Sequence, residues 1–355
     1  MIIFSPGPSN ISERVRRALL APDICHRDSE FTELLRNVRG QILDVAGVKS
    51  PAYEAVVYTG SGSVAIESVA AAAKAFGTML VVSNGPYGER AAAMARYHGV
   101  DVREWKLGWG EAIDVARLDA ELSGSGARTL YVVHHETATG RLNPLREIAA
   151  CGKARGCMVV TDAVSSIAGE TVDIAGWRLD AVIGSANKCI RGTPGAAFAV
   201  VSAAFLEGAM RQRAAHYSNL AEHFVCESRG ETPFTPAVQT LYAFHEALAE
   251  TLDETVAARI VHYRELMQLL QDGLVQRGVK LLLPRDAYGS TLLSCELPAG
   301  FTFDRLHAAL KPRGYVIYAA QAVLKQRAFR LGLVGHFGAP EVRGFLDAFA
   351  ATVRA

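Results

Sequence analysis

The sequence from residue 159 to residue 195, VVTDAVSSIAGETVDIAGWRLDAVIGSANKCIRGTPG, decides the fold. Two short apolar runs, 157–160 and 181–183, contain β-branched residues that do not alternate with polar ones, a pattern typical of strands buried on both faces of a parallel sheet. Asp162 lies at the end of the first run, and Lys188 lies just past the end of the second. Ligands of parallel sheets bind at the carboxyl ends of the strands, so we expect this acid and this lysine to face one ligand from opposite sides.

Strand-like and helix-like segments alternate along the chain before this stretch. Apolar runs at 55–58, 79–83 and 129–133 are separated by segments with helical periodicity. This is the βαβ rhythm of a doubly wound α/β domain, in which helices cover a mostly parallel sheet. After residue 279 the pattern changes to short strands mixed with helices, which predicts a smaller α+β domain.

The length of 355 residues also favours two domains, because single cores stop growing at roughly 250–300 residues. We predict a large cofactor-binding domain at 15–250 and a small domain formed by 251–355 together with the N-terminal arm 1–14. Helical spacing over 236–276 predicts one helix long enough to bridge the two domains.

The composition restricts the partners. The formal net charge is +1, from 37 basic and 36 acidic residues without a dense basic run, so we expect no nucleic-acid partner. The six cysteines form no CxxC pair, which argues against structural zinc. His134 and His135 are adjacent in a strand-like segment. Adjacent strand residues point to opposite faces, so we expect these histidines to be structural and expect no bound metal.

The same features indicate a compartment. A chain of this size needs no disulfides for stability, so a reducing cytoplasm fits best. The first residues, MIIFSPGPSNIS, do not have the basic and apolar regions of a signal peptide. No apolar run approaches the roughly 20 residues that a membrane span requires. We therefore expect a cytoplasmic protein without a membrane partner.

Residues 59–63, Thr-Gly-Ser-Gly-Ser, stand between an apolar run and an alanine-rich helical segment. Such a turn is an anion site, because free backbone N–H groups and the helix dipole converge on the helix N-terminus. The segment 60–65, GSGSVA, also fits a dinucleotide pattern, but the second strand ends in Ser83-Asn84-Gly85 and not in an acid that could bind a ribose. A nicotinamide oxidoreductase is therefore a weaker alternative, and a packing turn without a ligand is another.

Three features together indicate a particular cofactor. Taken alone, Asp162 could be a helix cap and Lys188 a solvated loop residue. Pyridoxal phosphate, however, requires an anion cradle, a carboxylate beside its pyridinium nitrogen and a lysine for a Schiff base. The cradle at 59–63, the acid and the lysine meet these three requirements in chain order. Neighbouring cations would lower the pKa of the lysine and free its amine to attack.

Five motifs carry a resemblance to a known family. TGSGS at 59–63, SNGPYGER at 83–90, HHETATG at 134–140, TDAVSS at 161–166 and SANKC at 185–189 resemble the class V group of fold-type I pyridoxal-phosphate aminotransferases. The resemblance extends over nearly the whole chain. It implies a fold-type I architecture, pyridoxal 5′-phosphate as cofactor, and a homodimer with a shared active site.

Further segments resemble one branch of this group. SPGPSNIS near the start, ICHRDSEF at 24–31, SANKCIRGTPG at 185–195 and FRLG at 329–332 are similar to members that move the amino group of 2-aminoethylphosphonate to pyruvate. The implied products are phosphonoacetaldehyde and L-alanine, as in phosphonate degradation. An alanine–glyoxylate or serine–pyruvate aminotransferase would share the cofactor residues and stays open, as does a non-catalytic binding protein with this fold.

The resemblance also implies a role for each matching residue. Lys188 would form the Schiff base, Asp162 would pair with the pyridine nitrogen, and the ring would lie between Tyr87 and Val164. The other implied cofactor contacts are Ser61, Gly62, Ser63 and Asn187 at the phosphate, Thr137 on the ring-oxygen side, and Thr235 at the phosphate of the neighbouring subunit.

Three residues are candidates for binding the substrate. Arg330 is expected to bind the substrate anion, because a guanidinium fork matches a carboxylate or a phosphonate with two hydrogen bonds. A phosphonate dianion would favour a second positive group, and His26 and Arg27 are the hypothesis for it. A surface strand position is the alternative for Arg330.

Overall fold

The computed structural model describes residues 1–8, 10–212 and 214–354. In chain order, the strands of these residues are β1 (Ile2–Ile3), β2 (Tyr53–Thr59), β3 (Met79–Ser83), β4 (Val102–Lys106), β5 (Thr129–Val133), β6 (His135–Glu136), β7 (Arg141–Leu142), β8 (Met158–Asp162), β9 (Ala181–Ser185), β10 (Ala196–Ser202), β11 (Leu292–Glu296), β12 (Tyr315–Val316), β13 (Tyr318–Ala319) and β14 (Ala328–Gly332).

The α-helices of the same residues are α1 (Glu13–Ala18), α2 (Ser29–Val45), α3 (Gly62–Ala72), α4 (Pro86–Tyr97), α5 (Val115–Ser125), α6 (Leu145–Ala154), α7 (Ala203–Arg211), α8 (Leu220–Ser228), α9 (Val238–Glu254), α10 (Val256–Val275), α11 (Phe303–Leu310) and α12 (Ala339–Val353).

The central sheet has seven strands in the order β2-β10-β9-β8-β5-β3-β4. Strand β10 pairs antiparallel with both of its neighbours, whereas the pairs from β9 to β4 are parallel. Every residue of β3, β5 and β9 is buried, since helices cover both faces of the sheet. The predicted α/β class with a mostly parallel, doubly wound sheet is confirmed.

Alternate residues of the strands enter two separate hydrophobic cores. Ala55 and Val57 of β2 belong to the core beneath α2, α6 and α9. Val56 and Tyr58 belong to the core beneath α3, α4 and α7. This division follows from the two-residue period of a strand, and it holds the sheet edge in place between two packed layers.

A smaller sheet follows in the C-terminal part of the chain. Its order is β11-β14-β13, with both pairs antiparallel. The N-terminal β1 pairs in parallel with β12, and the Phe4 ring lies 5.0 Å from the Phe337 ring and 4.8 Å from the Phe345 ring. The arm is therefore anchored to the C-terminal part, while the bounds 1–14, 15–250 and 251–355 stay predictions.

The helix predicted over 236–276 is wrong as a single element. It is two helices, α9 and α10, separated by Thr255, whose φ of 68° and ψ of 141° lie outside the helical region. The Thr255 side chain accepts a hydrogen bond from the Ala258 N–H at 3.2 Å and so caps α10. The break has a local cause, because Thr255 caps α10 in a non-helical conformation and therefore cannot continue α9.

The break also supports the loop that carries Lys188. Arg259, in the first turn of α10, is 1% exposed, and its Nη1 donates to the carbonyl oxygens of Cys189 and Ile190 at 3.1 and 3.2 Å. Its Nε donates to Glu254 at 2.8 Å. The backbone just after Lys188 is thus held by a buried guanidinium.

No helix in the described parts of the chain combines the length and the apolar character that crossing a bilayer demands.

Candidate active site

A cavity of about 170 Å³ opens at the carboxyl edge of the central sheet, where ligands of parallel sheets bind. Residues that follow β2, β3, β5, β8 and β9 line it. The lining consists of Ser61, Gly62, Ser63, Ile66, Tyr87, Arg90, Val133, Thr137, Asp162, Val164, Ser165, Ser185, Asn187 and Lys188. Nine of the thirteen site residues predicted from the sequence are therefore lining residues, and Arg330 lies behind them, bonded to the Thr137 carbonyl oxygen.

The glycine turn of residues 59–63 ends at the N-terminus of α3. Ser61 is the N-cap residue, and its side chain makes no capping hydrogen bond. A Cβ atom at Gly62 would lie 3.3 Å from Val164 and 3.5 Å from Ser185, so a side chain there would narrow the cavity. The helix N-terminus and the hydroxyl of Ser61 are consequently available to an anion in the cavity.

Asp162, the last residue of β8, is 4% exposed. Its Oδ1 accepts a hydrogen bond from the Val164 N–H at 2.9 Å. Burial raises the pKa of Asp162 to about 6, although Arg90 and Lys188 favour the charged form. A cation in the cavity would strengthen the ionised carboxylate, as the predicted pairing with a pyridinium nitrogen requires.

Lys188 lies under the N-terminal arm. Its Nζ donates a hydrogen bond to the Pro6 carbonyl oxygen, and Gly7 packs so closely that a Cβ atom there would lie 2.7 Å from the Lys188 Cδ. Burial, together with the positive charges of Arg330 and Arg90, lowers the pKa of Lys188 to about 8. An appreciable fraction of this amine is therefore neutral near physiological pH and able to act as a nucleophile or a base.

The predicted ring-binding residues all line this cavity. Tyr87, in the first turn of α4, lines the cavity together with Val164 and Thr137. The Thr137 hydroxyl forms a 2.7 Å hydrogen bond with the Ser165 hydroxyl. The Asn187 Oδ1 accepts a hydrogen bond from the Ser185 hydroxyl at 3.1 Å. These contacts orient the polar side chains of the walls before any ligand is bound.

Arg330 lies in the middle of β14 and is fully buried, so the surface-strand alternative is wrong. Its Nε donates to the Ala319 carbonyl oxygen and its Nη1 to the Thr137 carbonyl oxygen, both at 2.9 Å. Its Nη2 is buried without a hydrogen-bond partner in the described parts of the chain. A buried guanidinium N–H without an acceptor is costly, and an anionic ligand would supply the missing acceptor.

The other three predicted site residues lie elsewhere in the chain. Thr235 lines a separate cavity together with Tyr58, Thr59 and Val64. Arg27 is half-exposed and pairs with Glu231 at 3.4 Å, while the His26 ring packs edge-on to Phe31 at 6.4 Å. Within one chain, the structure therefore does not bring Thr235, His26 or Arg27 to the cavity of Lys188.

Two charged residues near the site did not emerge from the sequence. Arg90 lines the cavity, and its guanidinium lies 4.6 Å from the centre of the Tyr87 ring. Glu136 is fully buried beside the cavity wall. Arg90 follows Tyr87 by three residues in one helix, a spacing that puts both on the same face and that could have revealed it. Glu136 stands beside Thr137 in HHETATG, but its burial depends on tertiary packing.

The two adjacent histidines have separate partners. The His134 Nδ1 lies 3.0 Å from the Ser166 hydroxyl. The His135 ring lies between the carbonyl oxygens of Ser165 and Gly140 at 3.2 and 3.1 Å. Burial lowers the pKa of His134 to about 3 and also lowers the pKa of His135. Both contacts fit the predicted structural role.

Comparisons with known proteins agree with this geometry. The family model described as aminotransferase class-V matches residues 14–317. The chain is 36% identical to the 2-aminoethylphosphonate–pyruvate transaminase of Syntrophobacter fumaroxidans, over 94% of this chain and 91% of that protein. It is 32% identical to the protein of the same name from Bacillus cytotoxicus, over 99% and 98%. The crystal structure of alanine–glyoxylate aminotransferase from Nostoc sp. superposes with a TM-score of 0.93 and 25% identity, over 99% and 95%.

Proposed function

This chain belongs to the class-V aminotransferase family, and on that premise we propose that it transfers the amino group of 2-aminoethylphosphonate to pyruvate with pyridoxal 5′-phosphate as cofactor. The products are phosphonoacetaldehyde and L-alanine. One observation carries the proposal: the buried Arg330, whose Nη2 makes no hydrogen bond to any of the described residues, lies behind a cavity lined by Lys188 and Asp162. The names of the relatives support the choice of donor and acceptor. Because the chain belongs to an aminotransferase family, we no longer consider a nicotinamide oxidoreductase.

The residues of the cavity fit this cofactor. The uncapped N-terminus of α3 and the hydroxyl of Ser61 suit a phosphate dianion. Asn187 and Ser63 complete this end of the cavity. Tyr87 and Val164 supply two walls between which a flat ring would lie, and Thr137 supplies a hydroxyl at the rim. Pyridoxal phosphate, when bound, supplies an aldehyde that accepts the amino group and a ring that withdraws electrons.

Lys188 and Asp162 divide the chemical work. The Lys188 Nζ would hold the cofactor covalently until the donor amine displaces it, and the neutral amine would then move the proton at the donor carbon that bears nitrogen. Its lowered pKa of about 8 supports both tasks. Asp162 would keep the ring nitrogen protonated through its ionised carboxylate. The arm lies over Lys188 through the Pro6 carbonyl oxygen and Gly7.

Arg330 would bind the anionic end of each substrate in turn. Its Nε and Nη1 are already held by carbonyl oxygens, so the guanidinium plane is fixed before the substrate arrives. The remaining N–H groups would meet the phosphonate of the donor and then the carboxylate of pyruvate. The proton-transferring amine and the anion site therefore hold opposite ends of a short substrate.

The site also supports a homodimer and a cytoplasmic location. Thr235 lines its own cavity away from Lys188, so a phosphate contact from Thr235 would have to come from a second copy of the chain. The same holds for a substrate contact from His26 or Arg27. All six cysteines are unpaired, as is usual in a reducing compartment.

The test is a two-step incubation of the purified holoprotein. With 2-aminoethylphosphonate alone, the absorbance of the aldehyde form should give way to that of the amine form, and pyruvate should then restore it with one L-alanine per site. L-Serine with pyruvate and L-alanine with glyoxylate are the parallel donor–acceptor pairs. Faster turnover of either pair would instead assign a serine–pyruvate or alanine–glyoxylate enzyme. The Lys188→Ala variant is the negative control, and turnover by it would contradict the proposed roles.

A further inference from the structure

The Glu136 carboxyl is a buried titratable group next to the lining residue Thr137, and the proposed chemistry does not use it. It is fully buried, and burial raises its pKa to about 8. Its Oε1 accepts a hydrogen bond from the Ala138 N–H at 3.0 Å, while its Oε2 has no partner of good hydrogen-bond geometry in the described residues. A group that is this costly to bury requires a reason for its position.

The Glu136 carboxyl lies at the N-terminus of the helix that carries Tyr87. The N-cap residue of α4 is Gly85, which has no side chain with which to cap. The Glu136 carboxyl occupies that space, since a Cβ atom at Gly85 would lie 2.3 Å from the Glu136 Cδ. The backbone N–H of Tyr87 faces this carboxyl. The glycine thus makes room for an acceptor from another segment, and this acceptor holds the first turn of α4.

The same residue is connected to Arg330. Thr137, its neighbour in the chain, accepts the hydrogen bond from the Arg330 Nη1 at 2.9 Å. The Tyr87 side chain lies beside the Arg330 guanidinium. The contacts therefore form a closed ring that runs from Glu136 through Tyr87, Arg330 and Thr137 back to Glu136. In such a ring, the position of the Tyr87 ring and the direction of the guanidinium depend on each other.

We propose that Glu136 is a positioning residue that fixes Tyr87 and Arg330 relative to each other and thereby sets the affinity of the site for the anionic end of the amino donor. This inference rests on the proposed function for the identity of the donor. Glu136 accepts a hydrogen bond from the Ala138 N–H, and its other carboxyl oxygen lies against Gly85 at the start of α4, so a neutral acceptor of the same shape would do the same work.

The test compares three variants of the holoenzyme. In Glu136→Ala the KM for 2-aminoethylphosphonate should rise by about 10-fold or more, the scale of a weakened charged hydrogen bond, while kcat changes by less than about 3-fold. Glu136→Gln retains the acceptor and should stay within about 3-fold of wild type in both constants. Glu227→Ala is the matched control. Glu227 is also buried and accepts from the Val57 N–H at 3.0 Å, but it lies outside the cavity, so its loss should lower the Tm and leave KM unchanged.

Two outcomes would overturn the proposal. One is a Glu136→Ala enzyme that loses Tm with an unchanged KM, as expected for Glu227→Ala. The other is a Glu136→Gln enzyme as impaired as Glu136→Ala, because the charge and not the acceptor would then matter. If Glu136→Ala does not fold, Gly85→Ala takes its place as the test. The new Cβ atom would displace the Glu136 carboxyl, so the KM for the donor should rise in the same way.

The same variants separate this proposal from the proposed function. If the wild-type enzyme does not use 2-aminoethylphosphonate, that function fails by itself. The KM for L-alanine, the carboxylate-bearing donor of the reverse reaction, then takes the place of the phosphonate measurement. An unchanged KM for L-alanine in Glu136→Ala would overturn the positioning role.

Discussion

The surroundings of Lys188 determine the pKa of its amine. Burial is the main cause of its lowered pKa, and Asp162 opposes that shift while Arg90 adds to it. An amine attacks an aldehyde only when it is neutral. The rate at which the apoprotein attaches pyridoxal 5′-phosphate should therefore rise with pH and level off above about 8.

The two neighbouring charges allow this pH dependence to be tested with opposite signs. Asp162→Asn removes a charge that raises the pKa of Lys188, so the midpoint should move to lower pH. Arg90→Gln removes a charge that lowers the pKa, so the midpoint should move to higher pH. Absorbance changes with borohydride trapping would measure both. Shifts in the same direction would show that these charges do not act on Lys188.

Arg330 should control substrate binding and leave cofactor binding almost intact. Arg330→Ala removes the guanidinium that would meet the substrate anion, so the KM for the donor should rise by about 10- to 100-fold, the range for a charged hydrogen bond. Arg330→Lys retains the charge without the planar fork, so its KM for the donor should lie between those of the wild type and of Arg330→Ala. Steady-state kinetics and cofactor titration are the measurements. A loss of cofactor affinity equal to the loss of donor affinity would contradict this role.

At the scale of elements, the N-terminal arm covers Lys188. Gly7 has a φ of 121°, and a Cβ atom there would lie 2.7 Å from the Asn187 carbonyl oxygen. Gly7→Ala should therefore lift the arm and admit water to Lys188. Because burial is the main cause of the lowered pKa, the midpoint of cofactor attachment should move from about 8 towards the ordinary 10.5.

The control for this prediction is another glycine in the left-handed region. Gly126 has a φ of 63° and open space around its missing Cβ, so Gly126→Ala carries a similar backbone cost without touching the site. It should lower the Tm and leave the midpoint unchanged. An unchanged midpoint in Gly7→Ala as well would mean that the arm does not shield the lysine.

The backbone conformation at the break between α9 and α10 lowers the stability of the protein by a measurable amount. Thr255 adopts a φ of 68° and a ψ of 141°, a region that strains a side chain by about 1–3 kcal/mol. Glycine would relieve the strain and lose only a few tenths of a kcal/mol as an N-cap. Thr255→Gly should therefore raise the free energy of unfolding by about 1 kcal/mol.

The matched comparison is Thr302, the N-cap of α11, which has an ordinary φ of −89°. Thr302→Gly removes a cap without relieving strain, so it should not stabilise the protein. Urea denaturation of both variants would measure the difference. A destabilised Thr255→Gly would show that the cap outweighs the strain at this position.

At the scale of the whole molecule, a site completed by a second chain predicts complementation. If Thr235 contacts the phosphate in the neighbouring subunit, Thr235→Ala and Lys188→Ala homodimers should both be impaired. A mixed dimer would contain one site with an intact Lys188 from one chain and an intact Thr235 from the other. Mixing the two unfolded variants and refolding them together should restore activity towards one quarter of wild type, the value set by random pairing and one good site per mixed dimer.

The complementation needs a pairing control. Refolding each variant alone should give no recovery, and sedimentation should show the mass of two chains. If dimers form but the refolded mixture is no more active than either variant refolded alone, Thr235 does not contact the phosphate of the neighbouring subunit. A monomer in sedimentation would contradict the shared site directly.

Local pattern was sufficient for the sheet and for its chemistry. The runs at 79–83 and 129–133 are strands with those same bounds, because unbroken apolar runs have few alternatives to a buried strand. Strand ends of a parallel sheet meet at one edge, which is why Asp162 and Lys188 line one cavity. Local pattern could not reveal the break at Thr255, since helical periodicity continues on both sides of it.

The sequence by itself determined the layered α/β architecture and most of the residues that line the cavity, because strand period, glycine turns and the order of polar residues after strands are local properties. Only the tertiary structure decided what surrounds them. Pro6 reaches Lys188 across 182 positions of the chain, and the carboxyl that holds Tyr87 comes from Glu136. Burial and electrostatic fields are sums over neighbours in space, so the lowered pKa of Lys188 and the unpaired N–H of Arg330 arise only once the chain has folded.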